Sequence, residues 1–207
     1  MLVTFLNIWK ETTLAALIVA VVTGIIAFSI CKSRNKKIYY AGCGVRAMLW
    51  ALFFAYLVFV IAITLLPLPS FHGPMNISIW RKNLVLEPIA PIIRSARTAK
   101  EYLSYNEWSP LYLFLYNTIG NLILLMPFVL FFRLLVTDRY TIIFLCSLCF
   151  SVLIESTQGL LCYLSGVAYR VVDINDFILN VTGASFMLLL TGLVDSFIHL
   201  TNRIFKK

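Results

Sequence analysis

Charged side chains are scarce in this chain of 207 residues: Asp, Glu, Lys and Arg make up 13% of it, whereas hydrophobic residues make up 61%. Soluble domains carry about 25% charged residues and about half apolar ones. A single soluble core of this size could not bury so much apolar surface. The composition therefore excludes a soluble enzyme, a disordered chain and a secreted disulfide scaffold, and it favours a multi-pass membrane protein.

Residues that usually carry metal or nucleophilic chemistry are also few. The two histidines, His72 and His199, stand alone, and the sequence has no HExxH motif, P-loop or nucleophile elbow. The five cysteines lie in or beside apolar runs, which is typical of small buried residues. The same interpretation covers Cys146 and Cys149, although they form a CxxC pair. The sequence therefore predicts no metal site and no cofactor.

Five apolar segments are long enough to cross a bilayer. The predicted spans are residues 12–31, 47–66, 111–132, 141–164 and 177–194. Each is close to the roughly 20 residues that a hydrocarbon core requires. In lipid each must be helical, because an unpaired backbone group has no water to bond. We therefore predict an all-α membrane protein whose residues 1–207 form one multi-pass domain of about five transmembrane helices.

The orientation of these spans follows from the distribution of basic residues. The net charge is +8, and no basic stripe carries the interleaved aromatic residues expected of a nucleic-acid partner. Instead, Lys32, Arg34, Lys36 and Lys37 directly follow the first span. Because cytoplasmic connections are enriched in Lys and Arg, the amino terminus is predicted outside and the carboxyl terminus in the cytoplasm.

The same topology makes residues 67–110 an external loop. It contains six of the seven prolines, and residues 94–105 follow the pattern of a short amphipathic helix with aromatic residues suited to the headgroup region. Two interpretations remain open for this loop. It is either an ordered interfacial loop, which we favour, or a lid over a site.

Strongly polar side chains inside or beside the membrane are confined to the last three spans. The predicted cluster consists of Asn117, Asn121, Glu155, Gln158, Arg170, Asp173, Asp176 and Asn180. With a helical rise of about 1.5 Å per residue, all of them fall in or above the outer half of the bilayer. The spacings from Asp173 through Asp176 and Asn180 to Gly183 would form one helical stripe if the fifth helix started that early.

A shared depth favours a common role for these side chains. A charged carboxylate near the bilayer centre costs about 2.5–3.5 kcal/mol, so Glu155 is expected to face the protein interior, to be protonated or to meet a cation. One interpretation is a hydrogen-bond network that only holds three helices together. The other, which the sequence favours, is a polar cavity that opens to the outer surface or outer leaflet.

The polar residues form three motifs in and beside the last three spans. They are Asn117-x-x-Gly120-Asn121 followed by Pro127, Glu155-x-x-Gln158, and Arg170-x-x-Asp173-x-x-Asp176-x-x-x-Asn180-x-x-Gly183. These motifs and their spacing resemble the VanZ-like family of bacterial membrane proteins. The similar region covers residues 110–190, and Val129 replaces the usual glycine after the proline. The family is named for a protein associated with low-level resistance to teicoplanin, a lipid-tailed glycopeptide. The resemblance implies a bacterial plasma membrane protein that acts in the cell envelope.

Three hypotheses for function remain. The first is a non-enzymatic envelope protein that contributes to resistance to lipid-tailed glycopeptides. Its outer-leaflet pocket would bind a membrane lipid or a lipid-linked envelope molecule such as a lipoglycopeptide. The second is an intramembrane enzyme that acts on a lipid-linked substrate through Glu155, Asp173 and Asp176. The third, a transporter or channel, is disfavoured because the polar residues are confined to one half of the membrane.

Overall fold

The computed structural model describes residues 12–13, 15–27 and 43–205. The helices are α1 Ala15–Ala27, α2 Cys43–Leu65, α3 Ile77–Lys82, α4 Ala90–Ser104, α5 Ser109–Leu124, α6 Met126–Leu135, α7 Tyr140–Ser165 and α8 Ile174–Phe205. Two short strands, β1 Leu84–Val85 and β2 Val172–Asp173, pair in parallel. The predicted all-α class is confirmed, and the two-residue strands are an addition to it.

Four of the five predicted spans coincide with helices that are long and apolar enough to cross a membrane. These are Gly44–Leu65, Ser109–Leu135, Tyr140–Ser165 and Ile174–Asn202. The predicted span 12–31 corresponds to the shorter apolar helix Ala15–Ala27, and its last residues, 28–31, lie outside the described part of the chain.

Two of these spans differ in detail from the sequence prediction. The third is divided at Leu125, where α5 ends and α6 begins. Pro127 explains the break, because proline lacks an N–H group and its ring crowds the carbonyl four residues earlier. The fifth begins at Ile174 and extends to Phe205, whereas the sequence predicted residues 177–194.

The chain divides into two compact units. The first comprises Met1–Leu68 and Phe131–Thr137. Within it, the rings of Phe53 and Phe131 lie 5.7 Å apart, and Arg46 donates a hydrogen bond of 3.5 Å to the carbonyl of Leu135. These contacts join α2 to the carboxyl-terminal part of α6.

The second unit comprises Pro69–Leu130 and Asp138–Lys207, and it contains all eight residues of the predicted cluster. In it, α8 packs against both α5 and α7, and α4 packs against α5. Gly183 permits the approach of α8 to α5, because a Cβ atom at this position would collide with the carbonyl oxygen of Leu122. The three helices that carry the cluster are therefore in contact through α8.

The 67–110 segment is ordered and bonded to the last two turns of α7. The backbone N–H of His72 donates to Ser165 (2.9 Å), and that of Met75 donates to Tyr163 (2.7 Å). The Trp80 indole donates to Gly159 at 3.2 Å. The predicted amphipathic helix corresponds to α4 except for Tyr105, which follows the helix end. Ala99 of α4 is buried, and the charged face of the helix is exposed. The action of this segment as a lid stays a hypothesis.

Candidate functional site

Three carboxylates meet where α7 approaches the start of α8. Glu155 of α7 and Asp176 of α8 interact electrostatically, and both also interact with Asp173. The backbone N–H of Asp173 donates a hydrogen bond to the Glu155 carboxylate. The Asn121 side chain of α5 donates one to Asp176. We call Glu155, Asp173 and Asp176 the carboxylate cluster. Its members lie in α7, β2 and α8, and α5 contacts it through Asn121.

The sequence of α7 directs Glu155 into the second unit rather than towards lipid. Residues spaced three and four apart share one face of a helix. On either side of Glu155, Ser151, Gln158 and Cys162 follow this spacing, and all three are buried. Glu155 itself is half-buried. This orientation agrees with the high cost of exposing a charged carboxylate to hydrocarbon.

Asp173 has a structural role at the start of α8. Its Oδ1 atom accepts hydrogen bonds from the backbone N–H (2.8 Å) and the side-chain Nδ2 (2.6 Å) of Asn175. This is the pattern of a helix N-cap, which satisfies one of the first free N–H groups. Asp173 lies in β2 and precedes the helix, so the predicted stripe begins at Asp176 instead. The Asp176 carboxylate is bonded by Asn121 and does not serve as the cap.

A second polar layer lies one helical turn further along both helices. Asn180 follows Asp176 by four residues on α8, and Ser151 precedes Glu155 by four on α7. The Nδ2 group of Asn180 donates to the Ser151 hydroxyl at 3.2 Å, and Asn180 is 0% exposed. Within the described residues, Asn180 Oδ1 and Glu155 Oε2 are buried and have no hydrogen-bond partner. Both atoms accept hydrogen bonds, so the site has unused acceptor capacity.

Basic and aromatic groups border the carboxylate cluster in the connection before β2. Arg170 interacts electrostatically with Asp176 and with the neighbouring Tyr169. The Tyr169 hydroxyl is buried and finds no partner among the described residues. Its burial raises the pKa of Tyr169 above the ordinary value, so this hydroxyl stays neutral at physiological pH. Arg170 therefore places one guanidinium beside the three carboxylates of the cluster.

The predicted site residues fall into three groups. Contacts or electrostatic interactions join Asn121, Glu155, Arg170, Asp173 and Asp176. Asn180 and Gln158 are buried nearby on the same helices. Asn117 differs, because it is exposed and forms no hydrogen bond or ion pair within the described part of the chain. A shared function of these eight side chains stays a prediction.

Sequence reasoning missed Asn175, which is 2% exposed. Its Oδ1 accepts from the backbone N–H of Ile89 at 2.6 Å, and its Nδ2 donates to the carbonyl of Glu87 at 3.0 Å. Asn83 makes a comparable contact, donating to the carbonyl of Arg170 at 2.5 Å. Asparagine at a helix start is a signal for capping, but these partners lie more than 80 residues away.

The arrangement suits binding of a polar group. Among the described residues, no group of three or more His, Cys, Asp or Glu side chains has the geometry to hold a metal. Oxygen acceptors face the α7–α8 interface, and the carboxylates next to it are only half-buried. Such a site can bind a hydrogen-bond donor, and it can also accept or release a proton.

Comparison with known proteins assigns most of the chain to one family. Residues 53–195 match the VanZ/LLP1 family. This stretch includes the whole carboxylate cluster, and it confirms the resemblance drawn from the sequence motifs. No curated protein and no solved structure matches the chain.

Proposed function

We propose, since the chain belongs to the VanZ/LLP1 family, that it is a cell-envelope protein of the bacterial plasma membrane that binds the polar part of a lipid or lipid-linked molecule. Binding would occur at the carboxylate cluster and would contribute to resistance to lipid-tailed glycopeptides such as teicoplanin. The supporting observation is the meeting of half-buried carboxylates from α7 and α8 with an amide of α5. Charged groups inside a membrane are seldom retained without a role.

The lipid part of this proposal follows from the location of the cluster. Glu155 lies within a helix long and apolar enough to span a bilayer, ten residues before its end at Ser165. At about 1.5 Å per residue, this is roughly 15 Å from that helix end. Asp176, with which Glu155 interacts, lies in the first turn of α8. The cluster therefore extends from within the span to the beginning of α8, where lipid headgroups and their attachments can reach it.

Expression in a glycopeptide-susceptible bacterial host tests the proposal. We expect the chain to raise the inhibitory concentration of teicoplanin and to change that of vancomycin, which has no lipid tail, very little. Glu155→Gln and Asp176→Asn keep the side-chain shape and remove the charge, so both should return teicoplanin susceptibility to the level of the empty host. Glu101→Gln, an exposed position on α4, is the matched control and should behave as wild type.

Two results would count against the proposal. Equal protection from vancomycin and teicoplanin would exclude a role for the lipid tail. Wild-type resistance in Asp176→Asn, at wild-type abundance in the membrane, would reduce the cluster to a network that only holds α5, α7 and α8 together. Immunoblotting of membrane fractions provides the abundance that both comparisons need.

A second candidate function is an intramembrane enzyme that acts on a lipid-linked envelope substrate. The observation in its favour is the pairing of Glu155 with Asp176, since two neighbouring carboxylates can divide the roles of general acid and base. Purified protein should then turn over a lipid-phosphate substrate, and Glu155→Gln should abolish turnover. Absence of turnover with and without divalent cations would exclude this candidate.

A further inference from the structure

We infer that the ligand of the carboxylate cluster presents a protonated primary amine, which reaches the cluster from the side of α5 at Gly120. This inference rests on the proposed function, because it specifies the chemistry of the molecule bound at the same site. Two sources could present this ammonium group, a membrane lipid and a free amine. A headgroup that offers only a phosphate should bind poorly.

The charges of the site favour a cation. Glu155, Asp173 and Asp176 provide three carboxylates, and Arg170 provides the neighbouring guanidinium. Like charges repel more strongly in a medium of low dielectric constant than in water. A ligand that brings another positive charge would offset this repulsion, whereas an anionic ligand would increase it. Charge alone does not define a site, but the hydrogen bonds around the cluster also favour a ligand that donates.

The N–H and amide groups that contact the three carboxylates are already used as donors. The Asp173 N–H group donates to Glu155, and the Asn121 side chain donates to Asp176. Both the backbone N–H and the Nδ2 of Asn175 donate to Asp173. A phosphate would need donors that these groups no longer offer. An ammonium group supplies three donors and requires none.

Besides the Tyr169 hydroxyl at the border, the buried atoms without a partner among the described residues are two oxygens between α7 and α8. Asn180 is fully buried, and its Nδ2 bonds to Ser151 of α7, so its side chain points into the α7–α8 interface. Glu155 projects into the same interface one turn away. Asn180 Oδ1 and Glu155 Oε2 have no hydrogen-bond partner among the described residues. A buried acceptor without a partner destabilises the protein, and a donor from the ligand would remove this cost.

A route to the cluster runs along α5. Gly120 lies next to Asn121, which bonds Asp176, and it shares a helical face with Asn117 three residues earlier. A Cβ atom at Gly120 would meet nothing within 4 Å, and Asn117 is exposed. Because α5 is part of a potential membrane span, this open face would admit a headgroup laterally from the bilayer.

Competitive binding to the purified full-length chain tests the inference. Native mass spectrometry in detergent would compare short-chain phosphatidylethanolamine with its N-acetyl derivative and with phosphatidylglycerol. We expect the free amine to bind about tenfold or more tightly than the other two, which is the effect of losing one charge-assisted hydrogen bond. Equal binding of the N-acetyl lipid, or tighter binding of phosphatidylglycerol, would overturn the inference.

Variants show whether the carboxylate cluster is responsible for this preference. Glu155→Gln and Asp176→Asn should abolish the preference for the amine, and Glu101→Gln should retain it. Gly120→Leu should reduce amine binding while melting as wild type does, because the added side chain enters open space. A preference that persists in all three cluster and α5 variants would place the amine elsewhere and refute the inference.

The source of the amine is decided by a compound without acyl chains. Binding of ethanolamine alone would support a free amine as ligand, and binding of the lipid alone would support a headgroup. The inference and the proposed function can also fail separately. Loss of resistance in Asp176→Asn without any amine preference would leave the proposed function standing and overturn the amine. A preference for the amine without protection from teicoplanin would support the amine as ligand and overturn the proposed function.

Discussion

A single buried amide, that of Asn175, holds the segment after β1 against the start of α8. It bonds the carbonyl of Glu87, the N–H of Ile89 and the carboxylate of Asp173. The cap of α8 and the position of the segment after β1 therefore depend on the same side chain. Since Asp173 also donates its N–H to Glu155, Asn175 acts on the carboxylate cluster through Asp173.

We expect Asn175→Ala to destabilise the protein by about 1–3 kcal/mol, because it removes a buried amide that bonds two partly buried backbone groups. Thermal unfolding in detergent would measure the loss. Digestion by a protease should also become faster within residues 83–89. Asn117→Ala is the control, since this exposed amide forms no hydrogen bond in the described structure. Equal stability of the two variants would contradict the role assigned to Asn175.

Removal of the Tyr169 hydroxyl is expected to have the opposite effect on stability. It is buried without a partner among the described residues, and its desolvation raises the pKa of the phenol. Because an unsatisfied buried hydroxyl costs about 1–3 kcal/mol, Tyr169→Phe should leave thermal stability unchanged or increase it. Tyr105→Phe, at a position that is 74% exposed, should have no effect. A marked loss of stability in Tyr169→Phe would mean that the hydroxyl has a partner.

At the residue scale, features that follow from the cost of burying a charge could be predicted from the sequence. Contacts between residues that are distant in the chain could not. An inward orientation was one of the three alternatives that the penalty for a carboxylate in lipid left open for Glu155. The contacts of Asn175 could not be predicted, since Glu87 and Ile89 are far from it in sequence. Asn117 was grouped with Asn121 by helical spacing, but spacing alone cannot say which edge of a face meets a neighbouring helix.

At the scale of helices, the distance between α5 and α8 depends on one glycine. A methyl group at Gly183 would collide with the backbone carbonyl of Leu122, whereas one at Gly120 meets nothing within 4 Å. Gly183→Ala should therefore cost about 1–3 kcal/mol, as overpacking does, and should lower abundance in the membrane. Gly120→Ala should be neutral or stabilising, because alanine favours helix by about 1 kcal/mol.

Measurements of melting temperature and membrane abundance on both variants check this contrast. If the two alanine variants behaved alike, the close contact between α5 and α8 would be wrong. Asn121 reaches Asp176 across this contact, so Gly183→Ala should also weaken teicoplanin protection beyond what its abundance explains.

The positions of the long helices were predictable and the short strands were not. Hydropathy located four spans, because each needs about 20 apolar residues. β1 and β2 have two residues each, which is too short for any alternating pattern, and their pairing connects parts of the chain 88 positions apart. The break at Leu125 had a visible signal in Pro127, but proline alone does not tell a kink from a helix end.

At the scale of the whole molecule, the pairing of β1 with β2 restricts the topology. The segment before α5 and the connection between α7 and α8 are joined by these strands and by the bond from Asn83 to Arg170. They must therefore lie on the same side of the membrane, which agrees with the alternation of the spans. The distribution of basic residues predicts that this side is external.

Cysteine labelling of intact cells tests both statements. Leu86 and Val171 are 68% and 51% exposed, so Leu86→Cys and Val171→Cys should react with a membrane-impermeant maleimide added outside. Asp138→Cys, in the short turn before α7, should react only after permeabilisation. Reporters placed near Gly73 and after Lys207, which lies outside the described residues, should be external and cytoplasmic respectively. The wild-type chain gives the background from its own five cysteines.

The possible outcomes separate the fold from the orientation. Labelling of Leu86→Cys and Val171→Cys from opposite sides would refute the β1–β2 pairing, since paired strands cannot be divided by a bilayer. Labelling of both only after permeabilisation would preserve the pairing and reverse the orientation. The carboxylate cluster would then face the cytoplasm, because Asp173 of β2 belongs to it. A ligand in the outer leaflet could not reach it there, so the proposed protection from teicoplanin requires that both cysteines react from outside.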